Sequence, residues 1–280
     1  MKKILFIGAG NMGQALIEGI IQKKLFDPKE IYVYELRKDL QHNIEKDYKV
    51  NIMTELNNEN LDQIDIVMLA VKPQNFFNFH KNRLMDPLAE YIKKEKLIIS
   101  IMASVRIKKI LEFFTNNPSV IRIMPNTPLL IGKGFSGISP DSQTTEDQLE
   151  ITMKIFSAVG DSEIVDEDKL DAITGISGSG VALVYKFIDA VADAGVLEGI
   201  PRELALRIVC QTVLGGAKMV METGASPEIL KDKVASPGGT TIEGLFSLEK
   251  SGFKGHIMQA VRDVIKKSKT IAAIGSDGSK

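Results

Sequence analysis

Two glycine-rich stretches carry residue types and spacings suited to chemistry. The first is Gly8-Ala9-Gly10-Asn11-Met12-Gly13, a G-x-G-x-x-G pattern that follows an apolar run and precedes residues with helical spacing. Glycines at these positions permit a tight turn and let backbone approach a pyrophosphate, while the helix start supplies free N–H groups and the positive end of a dipole. An acidic residue, Glu35, ends the next apolar run, where a carboxylate accepts hydrogen bonds from ribose hydroxyls. The spacing predicts dinucleotide binding. Glu35 favours NADH by repelling a 2′-phosphate, whereas Arg37 and Lys38 favour NADPH, so the preference stays open.

The second stretch is Ser236-Pro237-Gly238-Gly239-Thr240-Thr241. It opens a helix with unencumbered backbone N–H groups and two hydroxyls, a combination suited to a small carboxylate. Ser177-Gly178-Ser179-Gly180 has the same character. For both, a plain helix cap is the competing reading. Ala70-Val71-Lys72-Pro73 and Met124-Pro125-Asn126-Thr127-Pro128 each end an apolar run. Lys72 is suited to a phosphate or ribose, and Asn126 and Thr127 to a ring amide. A surface lysine and a proline-stiffened turn are the bland alternatives. Lys186 and Asp189 share a helix face, and 166–168 and 231–233 are charge clusters. Solvated surface is the favoured reading for the two clusters, and a solvated face or a dimer-interface pair for Lys186 and Asp189.

The elements that position these residues follow from periodicity. Apolar runs at 3–7, 31–34, 65–71, 97–102 and 120–124 predict strands, with edge strands at 135–139 and 163–165. Helical spacing between them predicts helices at 12–22, 37–46, 79–92, 105–116 and 144–158. Alternating strands and helices imply a Rossmann-type, doubly wound, mostly parallel α/β sheet. Beyond about residue 166 the pattern is helix after helix: 178–198, 202–223, 227–235, 239–250 and 253–274, with a frayed tail. Two domains result, 1–165 for the dinucleotide and 166–280 all-helical.

Composition excludes some partners. The chain has 280 residues, 44% hydrophobic and 25% charged, with net charge −1, which gives nucleic acid no basic stripe. No uninterrupted apolar run reaches the ~18 residues of a membrane span, so no membrane partner is expected. The single cysteine, Cys210, reads as an inert core thiol in a reducing, cytoplasmic protein. Three histidines and one cysteine offer no zinc spacing, so no metal site is expected.

The chain resembles the pyrroline-5-carboxylate reductase family over nearly its full length. The resemblance rests on FIGAGNM at 6–12, AVKPQ at 70–74, VIRIMPNTP at 120–128, DAITGISGSG at 171–180 and LKDKVASPGGTTIEGL at 230–245. It implies an NADPH- or NADH-dependent reduction of the small-molecule imine Δ1-pyrroline-5-carboxylate to proline. It also implies a homodimer through the helical domain, with further assembly of dimers. By position, Ile7, Gly8, Ala9, Gly10, Asn11 and Met12 match the pyrophosphate loop, and Glu35 and Asn57 match positions near the adenosine ribose. Ala70, Val71, Lys72, Pro73, Ile101, Met102 and Ala103 match residues flanking the cofactor. Ser236, Gly239, Thr240 and Thr241 match the substrate-carboxylate loop, with the Thr241 hydroxyl near the ring nitrogen as the catalytic group. The chain departs from the family pattern at Ser104 (usually glycine), at Val181-Ala182-Leu183 (usually proline, alanine and an aromatic) and at Lys233 (asparagine in some relatives). A β-hydroxyacid dehydrogenase using a helical lysine, and a non-catalytic dinucleotide sensor, are the rival readings.

Overall fold

In a computed structural model, which describes residues 2–76 and 86–277, the first apolar runs become a sheet. Its strands are β1 (Ile4–Ile7), β2 (Ile31–Tyr34), β3 (Asn51–Ile52), β4 (Ile66–Leu69), β5 (Leu97–Ser100), β6 (Ser119–Met124), β7 (Gly134–Pro140) and β8 (Gly160–Ile164). Their order is β3-β2-β1-β4-β5-β6-β7-β8. Every pairing is parallel except β6–β7, which is antiparallel. The order reverses at β1, between β2 and β4, and the carboxyl ends of those strands form the crevice where doubly wound sheets bind ligands.

Near-continuous apolar strands arise because both sheet faces are covered. Phe6, Met68, Ile99 and Ile121 pack with Leu16, Ile20, Ile155 and Phe156 on one face. Leu5, Ile7, Val67, Leu69, Ile98 and Val120 pack with Leu88, Ile110 and Phe113 on the other. The period of two sorts alternate residues of each strand to opposite cores. The covering helices are α1 (Asn11–Gln22), α2 (Lys38–Tyr48), α3 (Asn58–Asp62), α4 (Asp86–Tyr91), α5 (Ile107–Leu111) and α6 (Glu146–Ser157). Of the helix expected at 79–92, residues 79–85 lie outside the described residues. The 135–139 run, expected at an edge, lies one strand in, because β8 takes the outer position.

The helices that follow are α7 (Leu170–Ile173), α8 (Gly180–Leu197), α9 (Arg202–Thr223), α10 (Pro227–Val234), α11 (Thr240–Lys250) and α12 (Phe253–Asp277). The last strand ends at Ile164. By contacts, the chain divides into Met1–Gly178 with Val264–Lys280, and Ser179–Asp263. The second unit has a small core of its own: Ala192, Ala205 and Val209, against which Ile188, Ile200 and Val213 pack. Cys210, expected in a core, is exposed. It follows Val209 by about 100° around α9, off the stripe that faces α8. The tail expected to fray from 275 is helical to Asp277, and residues 278–280 lie outside the described residues.

Candidate active site

The three glycines of the β1–α1 turn do different work. Gly8 has φ +85°, and a Cβ there would lie 2.6 Å from Val71 Cγ1 and 3.1 Å from the Ala70 carbonyl oxygen. Left-handed backbone and close approach of the next strand both require glycine. A Cβ on Gly13 would lie 3.1 Å from the Gly8 oxygen, so the first turn of α1 can rest on the loop only without one. At Gly10, the N-cap of α1, a Cβ would meet nothing within 4 Å. Among the described residues, no side chain caps this helix. Open space in front of uncapped N–H groups fits a dinucleotide pyrophosphate.

Beside this turn lies a cavity of about 570 Å³, lined by Ile7, Gly8, Gly10, Tyr34, Glu35, Leu36, Arg37, Ala70, Val71, Lys72 and Asn75. Seven expected cofactor residues therefore share one wall: Ile7, Gly8, Gly10, Glu35, Ala70, Val71 and Lys72. Ala9 is buried, and its N–H donates to Glu35 Oε2 at 3.1 Å. Glu35 Oε1 accepts from the N–H groups of Leu36 (3.0 Å) and Arg37 (3.1 Å). The Glu35 side chain is 12% exposed and that of Arg37 is 61% exposed, with Arg37 Nε 3.5 Å from Glu35. Asn11 and Met12 form the first turn of α1, and residues 73–76, from Pro73, are helical. Asn57 caps α3, its Oδ1 accepting from the Asn60 N–H at 2.9 Å.

Ile101, Met102 and Ala103 leave β5 beside this wall: the Ile101 N–H donates to the Leu69 oxygen at 3.1 Å. Met102 is buried. Ser104 has φ +60°, a conformation that favours glycine, the residue the resembled family usually carries there. Asn126 has both ends of its amide engaged, accepting from the Phe135 N–H and donating to Ser177 Oγ, each at 2.8 Å. It therefore ties the proline-stiffened loop to β7 and to the 174–178 segment.

Two residues were missed in the sequence. Arg122, within β6, is 1% exposed, and its Nη1 donates to Glu167 Oε1 at 3.1 Å. Its Nη2 has no partner among the described residues. Glu167, read above as solvated, also accepts from the Ile107 N–H at 2.7 Å and caps α5 from a distance in sequence. A charge in the middle of the apolar run Val120-Ile121-Arg122-Ile123-Met124 was the available signal, since a buried arginine needs a carboxylate.

In the second unit, Gly238 has φ +67° and Gly239 is the N-cap of α11, again with no side-chain cap. A Cβ on Gly239 would lie 2.3 Å from Ser236 Oγ, so the turn closes tightly over Ser236. Ser236 and Thr240 are exposed and Thr241 is half-buried. The helix start expected at 177–180 is different. Residues 170–178 are already helical, with a wide π-type turn at Thr174–Gly178, so Gly180 continues a helical run instead of opening one. Lys186 and Asp189 form an exposed 3.5 Å pair, and Lys233 is exposed.

A Rossmann-type unit with an open, uncapped glycine turn, followed by an all-helical unit, defines a nicotinamide-dependent oxidoreductase. A family profile described as NADP oxidoreductase, coenzyme F420-dependent, matches residues 3–104. One described as pyrroline-5-carboxylate reductase dimerisation matches residues 167–271. The chain is 40% identical over 270 residues to pyrroline-5-carboxylate reductase of Methanosarcina acetivorans, covering 96% of this chain and 98% of that one. It is 36% identical over 271 residues to that of Escherichia coli, covering 97% and 98%. The crystal structure of Plasmodium falciparum pyrroline carboxylate reductase with NADP bound superposes with a TM-score of 0.83 at 34% identity, covering 97% of this chain and 98% of that one. The chain belongs to the pyrroline-5-carboxylate reductase family.

Proposed function

We propose that this chain reduces the imine of Δ1-pyrroline-5-carboxylate to proline with NAD(P)H, with Thr241 orienting the ring nitrogen. One observation carries the assignment of residues: each unit presents a glycine-opened helix start with no side-chain cap, α1 after Gly10 and α11 after Gly239. Each is suited to an anion. In the first unit that anion is the dinucleotide pyrophosphate, and in the second the substrate carboxylate.

When bound, the reduced nicotinamide supplies the hydride. The N–H groups that open α1 hold the pyrophosphate, and Glu35, Arg37 and Lys72 surround the adenosine end. Ser236, Gly239 and Thr240 hold the carboxylate through backbone and hydroxyl groups at the α11 start. Thr241 Oγ1 hydrogen-bonds the ring nitrogen and aims it, while substrate or water provides the proton that makes the iminium. A threonine hydroxyl is too weak an acid to supply it, so its contribution is orientation.

Residues 1–165 serve the cofactor and 166–280 the substrate and the partner subunit. The second unit exposes Val184, Tyr185, Phe187, Leu214, Met221 and Phe246, far more apolar surface than its small core can cover. Among the described residues, Arg202–Thr223 is long and apolar enough to cross a membrane by length and composition. Its Arg207, Gln211 and Lys218, spread along its length, argue for a second copy of this chain as its cover instead of a bilayer. We assign a homodimer through this unit, with dimers assembling further, in the cytoplasm. The test follows NADPH and NADH absorbance with Δ1-pyrroline-5-carboxylate. Oxidation with the imine and none with hydroxy- or keto-acids supports the assignment. Cofactor binding without turnover overturns it in favour of a sensor.

A further inference from the structure

The loop from Ile101 to Arg106 leaves the carboxyl end of β5, and its first N–H bonds to Leu69, next to the Ala70–Lys72 wall of the cavity. Its far end is gripped by residues sixty or more positions away. Glu167 Oε1 accepts from the Ile107 N–H at 2.7 Å. Arg106 donates through Nη1 to Asp168 Oδ1 at 2.6 Å and through Nη2 to Asp171 Oδ2 at 3.2 Å. The other oxygen of Asp171 accepts from Ser268 Oγ, on α12, at 3.0 Å.

Capping α5 requires only Glu167. Asp171 goes beyond that: its side chain is 1% exposed, and each oxygen is bound to a different distant segment. Burying a carboxylate is costly unless it is fully partnered, and here Arg106 and Ser268 are those partners. Between the two anchored ends sits Ser104, at φ +60°. A non-glycine residue holds that conformation only where its surroundings over-determine it. Restraint at Leu69 on one side and at Asp171 on the other meets that requirement.

We propose that Asp171 is a positioning residue. Through Arg106 it holds the 101–105 loop against the cofactor side of the sheet, with Ser268 fixing its carboxylate from the carboxy-terminal helix. The proposal rests on the dinucleotide cavity assigned above and sets no role in imine chemistry. Loss of the Asp171 charge loosens the loop and weakens cofactor binding, and leaves the substrate loop at 236–241 untouched.

The test is calorimetric titration of the purified full-length protein with NADPH and with NADH, in the absence of imine. Asp171→Asn and Arg106→Gln are expected to raise the cofactor Kd by about 5- to 10-fold. Arg106→Lys, which keeps a cation but loses the fork that reaches both carboxylates, is expected to fall between wild type and Arg106→Gln. The KM for the imine is expected to change by less than about twofold. Backbone hydrogen exchange should rise in residues 101–106 of the two weakened variants. Unchanged cofactor Kd with only a lowered Tm overturns the proposal, as does a parallel rise in cofactor Kd and imine KM. Should Asp171→Asn fail to fold, Arg106→Gln decides alone, since that side chain is 38% exposed. Because binding is read without imine, failure of the wild type to turn over the imine would overturn the proposed reaction and leave this test standing.

Discussion

The Glu35 carboxylate accepts the Ala9 N–H at 3.1 Å, joining the end of β2 to the glycine turn after β1. The bond places a negative charge, largely shielded from solvent, beside the wall where a ribose would lie. Arg37, from the same loop, lies on that wall with its guanidinium mostly exposed. A 2′-phosphate there would meet repulsion from one and attraction from the other. Removing either charge should shift cofactor selectivity by about 1.4 kcal/mol, or tenfold. Glu35→Ser is expected to raise the ratio of kcat/KM for NADPH over NADH about tenfold, and Arg37→Ala to lower it about tenfold. Steady-state kinetics with both cofactors reads the ratio. A ratio unmoved by both substitutions would mean that neither residue faces the ribose.

Ser104 holds a left-handed conformation at φ +60°. For a residue with a Cβ this costs about 1–2 kcal/mol, and glycine avoids that cost while losing about 0.5–1 kcal/mol more chain entropy on folding. Ser104→Gly should therefore stabilise the protein by about 0.5 kcal/mol, read as a higher denaturation midpoint in urea with an unchanged m-value.

The fold was legible wherever one period dominated several residues in a row. The runs 4–7, 66–69 and 97–99 are apolar throughout because both sheet faces are covered, and Gly8, Gly10 and Gly13 sit where the turn requires them. Asn51–Ile52 went unread because two residues carry no period. The helix start expected at Ser177–Gly180 failed for another reason. Glycine and serine mark free helix ends only when the preceding residues are not already helical, and there they are. The charge of Arg122 inside an apolar run was readable, but its partner Glu167 lay hidden because a pairing across 45 residues leaves no local spacing to read. Cys210 was misplaced because flanking apolar residues describe the helix as a whole and not the side it turns inward.

Glu167 answers the buried Arg122 with one hydrogen bond, and Arg122 Nη2 has no partner among the described residues. Removing the carboxylate leaves a cation uncompensated inside the sheet layer and uncaps α5. Glu167 is partly exposed, so water can enter and moderate the cost. Glu167→Ala should destabilise by about 2–3 kcal/mol, below the loss of about 3–5 kcal/mol for a fully buried pair. Adding Arg122→Met should recover much of this loss, because the stranded charge is then gone. Chemical denaturation of the single and double variants checks both. A double variant no more stable than Glu167→Ala would show that the cap, and not the charge, carried the effect.

Thr241 follows Thr240, the first residue of α11, and is half-buried at the helix start. If its hydroxyl only satisfied the fold, replacing it with a methyl of the same shape would lower stability and leave turnover alone. If it orients the imine nitrogen, turnover must fall while the α11 start still holds the carboxylate through backbone N–H groups. Thr241→Val is expected to lower kcat about tenfold or more, roughly the loss of one positioned hydrogen bond, and to change the imine KM by less than about threefold. Thr241→Ser, which keeps the hydroxyl, should retain most of the activity. Gly239→Ala gives the contrasting pattern. Its new Cβ would press on Ser236 Oγ at 2.3 Å and displace the loop that grips the carboxylate. The imine KM should then rise more than kcat falls. Kinetics of the three variants at saturating cofactor separate orientation from grip, and wild-type kcat in Thr241→Val would remove the hydroxyl from the reaction.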